Sequence, residues 1–331
     1  MKFVLTASLF QDLVDDIAIL GFLQRSMSKR CYIAVRSPNA QGYLEWLQGL
    51  PKARRTAWDT QLAWTTRDAA QHRITPIEVI AGPASDWGAT PPQLTTTDAL
   101  SLVDTPFKIL LENGRFDRAF LLAMMPSSFR PFFEWLEHTD QLMFFGTGGL
   151  GELKKVVDEQ VSRKEHRRLT HWAMFDSDAG APGERSRDAR QAVEACQERQ
   201  VPFHILQRRA LENYVPKAAL FDWANSGGAD AGLRRERIDA LFRMTPEQRH
   251  HFHFKSGFPQ HPSASEGALF ATVPGDVRAT LAGGIHKNAI GRLFTSATQD
   301  RLCEQVGREG SGAELLPGLT AVMELLRVPY G

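Results

Sequence analysis

Acidic residues that each follow a short apolar run give this chain its first chemical signal. FKILL (107–111) runs directly into Glu112 within ENGRFD, which also carries Asp117. THWAMF (170–175) leads into Asp176 and Asp178 of DSDA, and FHIL (203–206) into QRRALENYVP, which holds Glu212. If the apolar runs are parallel strands, these side chains gather beyond the carboxyl ends of a sheet, where open α/β sheets bind their ligands. Carboxylates brought together repel one another unless cations neutralise them. Magnesium suits such a cluster, because it takes oxygen ligands, is held by a few carboxylates and keeps waters that a phosphate can replace. The chemistry expected is phosphoryl transfer, in which two ions roughly 3.5–4 Å apart would stabilise the attacking and leaving oxygens of an in-line displacement.

The elements that must position these residues show a change of rhythm at Phe107. From there, short apolar runs alternate with segments of helical period, as a parallel sheet with crossover helices requires, and QLMFF (141–145) is a further strand. Residues 1–105 read as a separate α/β module. It has β-like stretches at FVLTASLF, CYIAVRS and Ile77–Ile80, and a helical pattern from Tyr43 to Leu50. GPASDWGATPPQLTTT (82–97) reads as a connection, followed by a short helix near Asp98–Val103. Beyond Pro216 the chain is mainly helical, with FDWANS, GLRRERIDALFRM and NAIGRLFTSATQDRLCEQV as amphipathic pieces.

Composition limits the remaining possibilities. The 331 residues are 43% hydrophobic and 23% charged, and such a length favours about two domains. Lys and Arg number 39 against 38 Asp and Glu, a net charge of +1, so any contact with nucleic acid must come from a local patch. Cys31, Cys196 and Cys303 include no CxxC pair, which supports neither a disulfide framework nor a cysteine zinc site and fits a reducing cytoplasm. MKFVLTASLF is too short an apolar stretch for a membrane span or secretory signal, and no membrane association is expected.

Glu112 after one strand, GTGG (146–149) after the next and Asp176-Ser-Asp178 after a third resemble the Toprim domain of primases, topoisomerases and OLD-family nucleases. Glu212 in LENY, preceded by Arg208 and Arg209, resembles the OLD-type branch and the Toprim nucleases of bacterial anti-phage systems, and Lys255 in RHHFHFKSG stands where those nucleases carry a lysine. The resemblance covers roughly residues 107–260. It implies a Toprim (Rossmann-like) parallel sheet flanked by helices at 106–260, between the N-terminal α/β module at 1–105 and the mainly helical C-terminal region at 261–331, an α/β fold overall. It also implies a nuclease using Mg2+ or Mn2+, with Glu112, Asp176, Asp178 and Glu212 as metal ligands and Asp117 as a ligand for a second metal. Lys255 would stabilise transition-state charge and Arg208 and Arg209 would contact substrate phosphates. Gly146, Gly148 and Gly149 would let backbone amides approach a phosphate or metal-bound water. A prokaryotic defence role would follow, with DNA or RNA as substrate, a homo-oligomer as one option, and an ATPase supplied by a separate partner because no GxxxxGK[ST] occurs here. ENGRFD departs from the family's spacing by one extra residue, which leaves the direction of Asp117 open.

Other readings compete. GTGGLG (146–151) satisfies GxGxxG, follows a strand and precedes the helical ELKKVVDEQV, as in a dinucleotide-binding enzyme, although Glu112 and Glu212 then go unexplained. The altered ENGRFD spacing suggests a Toprim shell that binds or regulates without cutting. His250, His251 and His253, with His261 beyond, have a zinc-like spacing without a cysteine. Arg234, Arg235 and Arg237, with Arg243 and Arg249, would form either a solvated helix face or a track for nucleic acid. Phe132, Phe133 and Trp135 recur at helical spacing and suit a core better than a base-stacking platform.

Overall fold

In the computed structural model the described residues are 1–11, 15–126, 129–160, 167–285, 304–305 and 311–326. The chain is α/β, with two four-stranded parallel sheets flanked by helices. It divides into two compact units that do not simply follow one another along the sequence. The first is Met1–Phe107 with Trp135–Met143 and the chain from Thr320 on; the second is Lys108–Glu134 with Phe144–Leu319.

In the first unit β1 (Lys2–Leu5) buries Phe3 and Leu5 by strict alternation. It lies between β2 (Tyr32–Val35) and β3 (Pro76–Ile80), and β4 (Gln93–Thr95) adds to the far side of β3, giving the order β2-β1-β3-β4. Registers such as Phe3↔Ile33, Phe3↔Ile77 and Val79↔Leu94 align apolar residues across the sheet. Helices Asp16–Met27, Gln41–Gly49, Lys52–Ala69 and Thr96–Asp104 flank it. Asp15 starts the first of these by accepting the Ala18 amide at 2.9 Å. Trp58 is fully buried and donates to the Tyr43 hydroxyl at 2.9 Å. Two details differ from the sequence expectation. The second half of FVLTASLF is a 3-10 turn (Ala7–Phe10), entered where the Thr6 hydroxyl donates to the Val79 carbonyl at 2.7 Å. The connection at 82–97 contains β4, an edge strand with only Leu94 buried, too short for an alternation to show in sequence.

The second sheet has the order β6-β5-β7-β8, formed by β5 (Phe107–Leu111), β6 (Leu142–Gly146), β7 (His171–Phe175) and β8 (Phe203–Ile205). β5 pairs parallel to β7, with Ile109 opposite Trp172, and β7 parallel to β8, with Ala173 opposite Phe203. All five residues of β7 are buried, the signature of a central parallel strand covered on both faces. Leu110, Ala173 and Phe175 pack against Leu153 and Val157 of helix Leu150–Gln160 and Ala192 and Cys196 of helix Arg187–Glu198. Phe132 and Phe133 are buried, as core residues at helical spacing should be. The chain leaves the first strand of this unit toward opposite sides of the sheet, so the topological switch point lies between β5 and β7, where ligands of such folds bind.

Beyond β8 the chain is helical in its described parts. Helix Pro246–His251 begins at a Thr245–Gln248 capping box and delivers the segment that carries Lys255. Of NAIGRLFTSATQDRLCEQV, all but Glu304 and Gln305 lies outside the described residues, as does Cys303. Among the described residues no helix is long and apolar enough to cross a membrane.

Lys255 is held by backbone crowding. Gly284 has φ of +74°, and a Cβ there would lie 2.6 Å from the Phe254 carbonyl oxygen and 2.9 Å from the Lys255 carbonyl carbon. Gly284→Ala is therefore expected to lower stability by about 1–3 kcal/mol, measured by urea unfolding, and to displace Lys255. Unchanged stability would show that the 281–284 turn does not fix this segment.

Candidate metal centre

The acidic side chains gather at the switch point because each loop leaving the sheet there is tied to the next. Glu112 directly follows β5, and its Oε1 accepts the backbone N–H of Asp176 at 2.8 Å. Asp176, following β7, uses Oδ1 to accept the N–H of Leu211 at 3.1 Å. The Asp178 amide donates to the Arg209 carbonyl at 2.9 Å, and the Ser177 hydroxyl to the Arg208 carbonyl at 2.8 Å. Asp178 adopts φ of 48°, a left-handed conformation that Asp tolerates better than most residues and that sharpens the turn. Three loops distant in sequence thus form one rim.

Glu212 sits on the 3-10 turn Leu211–Tyr214, and its carboxylate pairs with the Lys255 ammonium at 3.2 Å. Its neighbours in LENY hold it in place. The Asn213 side-chain amide donates to the carbonyls of Arg249 and Phe252 at 2.7 and 2.9 Å, and the Tyr214 hydroxyl accepts the amides of Gln207 and Arg208, each at 3.1 Å. The second acid of ENGRFD has a structural place of its own. Asp117 is buried in the first turn of helix Phe116–Met124 and accepts the Asn113 amide at 2.7 Å, closing the turn after Glu112.

The acids also act on one another electrostatically. Burial raises Glu112 to about 8, with Asp117 and Asp178 adding to the rise against the Asp176 amide and the Lys255 charge. Burial and then Glu212 raise Asp117 to about 6, against the Asn113 amide and Lys255. Asp176 lies well above the usual carboxylate range, first through burial and then through Glu112, Glu212, Asp117 and Asp178. Burial alone would lower Lys255, but attraction to Glu212, Asp176 and Asp178 outweighs it and keeps the ammonium charged.

An all-oxygen donor set under mutual repulsion fits a hard divalent cation. Glu112 and Asp176 each spend one oxygen on a backbone amide and keep a second for a ligand. As the side chains stand, no three acidic, histidine or cysteine groups among the described residues form a ready cage, so an ion would have to draw the carboxylates inward.

The structure redistributes several other expected roles. Gly146 lets two loops approach, since a Cβ there would lie 2.4 Å from the Gly114 nitrogen. The Gly148 amide is given to the Glu112 carbonyl at 2.8 Å, so the glycine turn braces the Glu112 loop and that amide is not directed at a phosphate. Gly149 lies in the same turn at φ of +127°. β6 is an edge strand, and the glycine turn that follows it packs against the loop that carries Glu112. Arg209 forms an ion pair with Glu266 at 2.9 Å, and both side chains are mostly buried. Arg208 donates to the Asn213 carbonyl at 2.7 Å and lies 4.4 Å from the Tyr214 ring centroid. His251 bonds the Ala179 carbonyl, His253 accepts the Ser256 amide, and His261 is exposed, so the histidines serve separate partners. On helix Ala231–Phe242, Arg234 donates to Gly227 and Arg237 to Ile285; Arg243 pairs with Asp276 and Arg249 donates to Met244. Arg234, Arg237, Arg243 and Arg249 thus each have a local partner, and Arg235 is exposed.

Glu266, Asn213 and Tyr214 are the supporting residues that motif reading did not single out. One signal was present: Ser263 and Glu266 have capping-box spacing, and the Ser263 hydroxyl accepts the Glu266 amide at 3.1 Å. No protein family, curated protein or solved structure was found to match the chain.

Two outcomes follow from this geometry. Glu266→Ala strands the buried Arg209 guanidinium and is expected to cost about 3–5 kcal/mol in urea unfolding, whereas a loss under 1 kcal/mol would mean that the pair is dispensable. Glu112 and Asp117 have raised values in the fold, so the metal-free protein binds more protons folded than unfolded. Their contribution is complete below about pH 4 and is lost as pH rises through 6 and then 8. Thermal melts without metal should therefore fall across that window, and magnesium should restore more stability at pH 8 than at pH 6. A magnesium effect equal at both values would contradict the assignment.

Proposed function

We propose that the second unit is a magnesium-dependent nuclease of the Toprim type that cleaves phosphodiester bonds in DNA or RNA. The observation that carries this reading is the convergence of Glu112, Asp176, Asp178 and Glu212 on one switch-point rim, with Lys255 as the cation among them. Bound magnesium would supply an activated water and a polarised phosphate at neutral pH. Glu112 and Asp176 orient the rim through the loops they bind. Lys255, half exposed although paired to Glu212, is placed to meet a phosphate oxygen as negative charge develops. Asp117 acts as a positioning residue that closes the Glu112 turn. Manganese would substitute through the same oxygen donors.

The resemblance at Glu112, GTGG, DSD and LENY supports a role in prokaryotic anti-phage defence, with any ATPase supplied by a separate protein. The buried free thiols Cys31 and Cys196 suit a reducing cytoplasm. A second reading, a Toprim subunit that binds without cutting, is favoured by one observation, the commitment of Asp117 to the Asn113 amide.

Incubation with plasmid, single-stranded DNA and tRNA, in magnesium or chelator, separates the two readings. Wild-type protein should cut one of these only with metal. Asp176→Asn should abolish cutting while leaving the thermal midpoint unchanged, because a neutral amide suits a site that already disfavours charge. Lys255→Ala should lower kcat by about 10²- to 10³-fold. Undiminished activity in Asp176→Asn would rule out the site. A complete absence of metal-dependent cutting, alone or with the product of the adjacent gene, would favour the binding reading.

A further inference from the structure

A cleft of about 490 Å³ opens beside the DSD turn, on ground that the carboxylates do not use. Its floor includes Ser177, which lies between the two aspartates. One wall comes from the loop after β7 (Gly183, Arg185), another from Arg208 after β8, and a third from Glu247 and His250 of helix Pro246–His251. The volume lies within the range of small-molecule sites, which combine apolar surface with a few convergent polar groups.

Arg208 is unusual in this wall. Its guanidinium is stacked 4.4 Å from the Tyr214 ring centroid and anchored to the Asn213 carbonyl, so it presents a fixed flat surface. Guanidinium planes of this kind are platforms on which unpaired bases stack. Tyr214 is itself locked by the amides of Gln207 and Arg208, so the platform does not have to be ordered on binding. His250 is pushed down to about 4 by burial and by the neighbouring Arg208, so its ring is neutral and offers one donor and one acceptor. Glu184 and Glu247 offset the positive charge of Arg185 and Arg208, so the cleft is not a purely cationic phosphate site, and both can accept from the amino edge of a base. Ile205 and Leu206 contribute the apolar part of the surface.

We propose that this cleft holds a single unpaired nucleobase of the substrate strand, stacked on Arg208 and read at its edge by His250 and Glu247, next to the phosphate presented to the carboxylate rim. The placement beside a scissile phosphate rests on the nuclease reading, but base binding does not require cleavage. The enzyme would then act on single-stranded or locally opened nucleic acid, because a base inside a duplex cannot enter.

Calorimetric titration of the full chain in metal-free buffer, using the four ribonucleoside 5′-monophosphates and ribose 5-phosphate, tests this directly. At least one nucleotide should bind about tenfold or more tightly than ribose 5-phosphate. Arg208→Ala should weaken it by about tenfold. Arg208→Lys, which keeps the charge and loses the plane, should weaken it nearly as much. Glu247→Trp, at an exposed position, should block the cleft without disturbing the core. The proposal is overturned if ribose 5-phosphate binds as well as every nucleotide, if none binds at millimolar concentration, or if Glu247→Trp leaves affinity unchanged. Base binding that persists in a protein unable to cut any nucleic acid would sink the nuclease reading and leave the cleft assignment standing.

Discussion

Like charges crowded out of water cannot remain together without help, and the rim between β5 and β7 is built around that constraint. Asp117 is buried, Glu112 and Asp176 are half-buried, and all three lie near Asp178 and Glu212, which together with desolvation pushes their protonation upward. Protons and the ammonium of Lys255 relieve part of the repulsion. A divalent cation would relieve it more fully, and a rim that gains stability by taking up such an ion has a physical reason to bind one. Structural carboxylates are ordinarily paired one to one with arginine or lysine, as Glu266 is with Arg209 a short distance away. Among the described residues the rim gathers five acids around the Lys255 ammonium, an excess that a purely structural site would have to explain.

Much of the surrounding architecture holds this unfavourable arrangement in place. The Asp176 amide reaches Glu112, the Leu211 amide reaches Asp176, and the Asp178 amide reaches the Arg209 carbonyl, so the three loops are fastened across the strand ends. Asn213 ties the LENY turn to the segment before Lys255, and the glycines at 146 and 284 let that framework close. Each of these contacts uses a backbone group as one partner, which fixes loop position while leaving carboxylate oxygens for chemistry. A site made of loops thereby gains some of the rigidity of the sheet beneath it.

The sequence made the second sheet legible because a buried parallel strand reads as a continuous apolar run, as in THWAMF and FKILL, and because acids placed directly after such runs must emerge at its carboxyl edge. It made β4 illegible, since three residues with one buried side chain carry no period. The return of Trp135–Met143 and the chain from Thr320 to the first unit was equally hidden, because it depends on long-range packing rather than local pattern. At the site, that the acids and Lys255 lie near one another could be anticipated from their places after the strands. The destinations of Arg209 and Gly148 could not, because each depends on a partner far away in the chain, Glu266 in one case and the Glu112 carbonyl in the other. The second acid of ENGRFD is the clearest case of a residue whose role emerged only in three dimensions, as Asp117 closing a turn.

The central claim is that these acids form one cation site. Soaking crystals of the protein in manganese and collecting anomalous diffraction at the manganese edge tests it most directly. The account predicts an anomalous peak between the ends of β5 and β7, with oxygens of Glu112 and Asp176 about 2.1–2.2 Å from it. A peak elsewhere on the molecule, or none at that rim under saturating manganese, would contradict it.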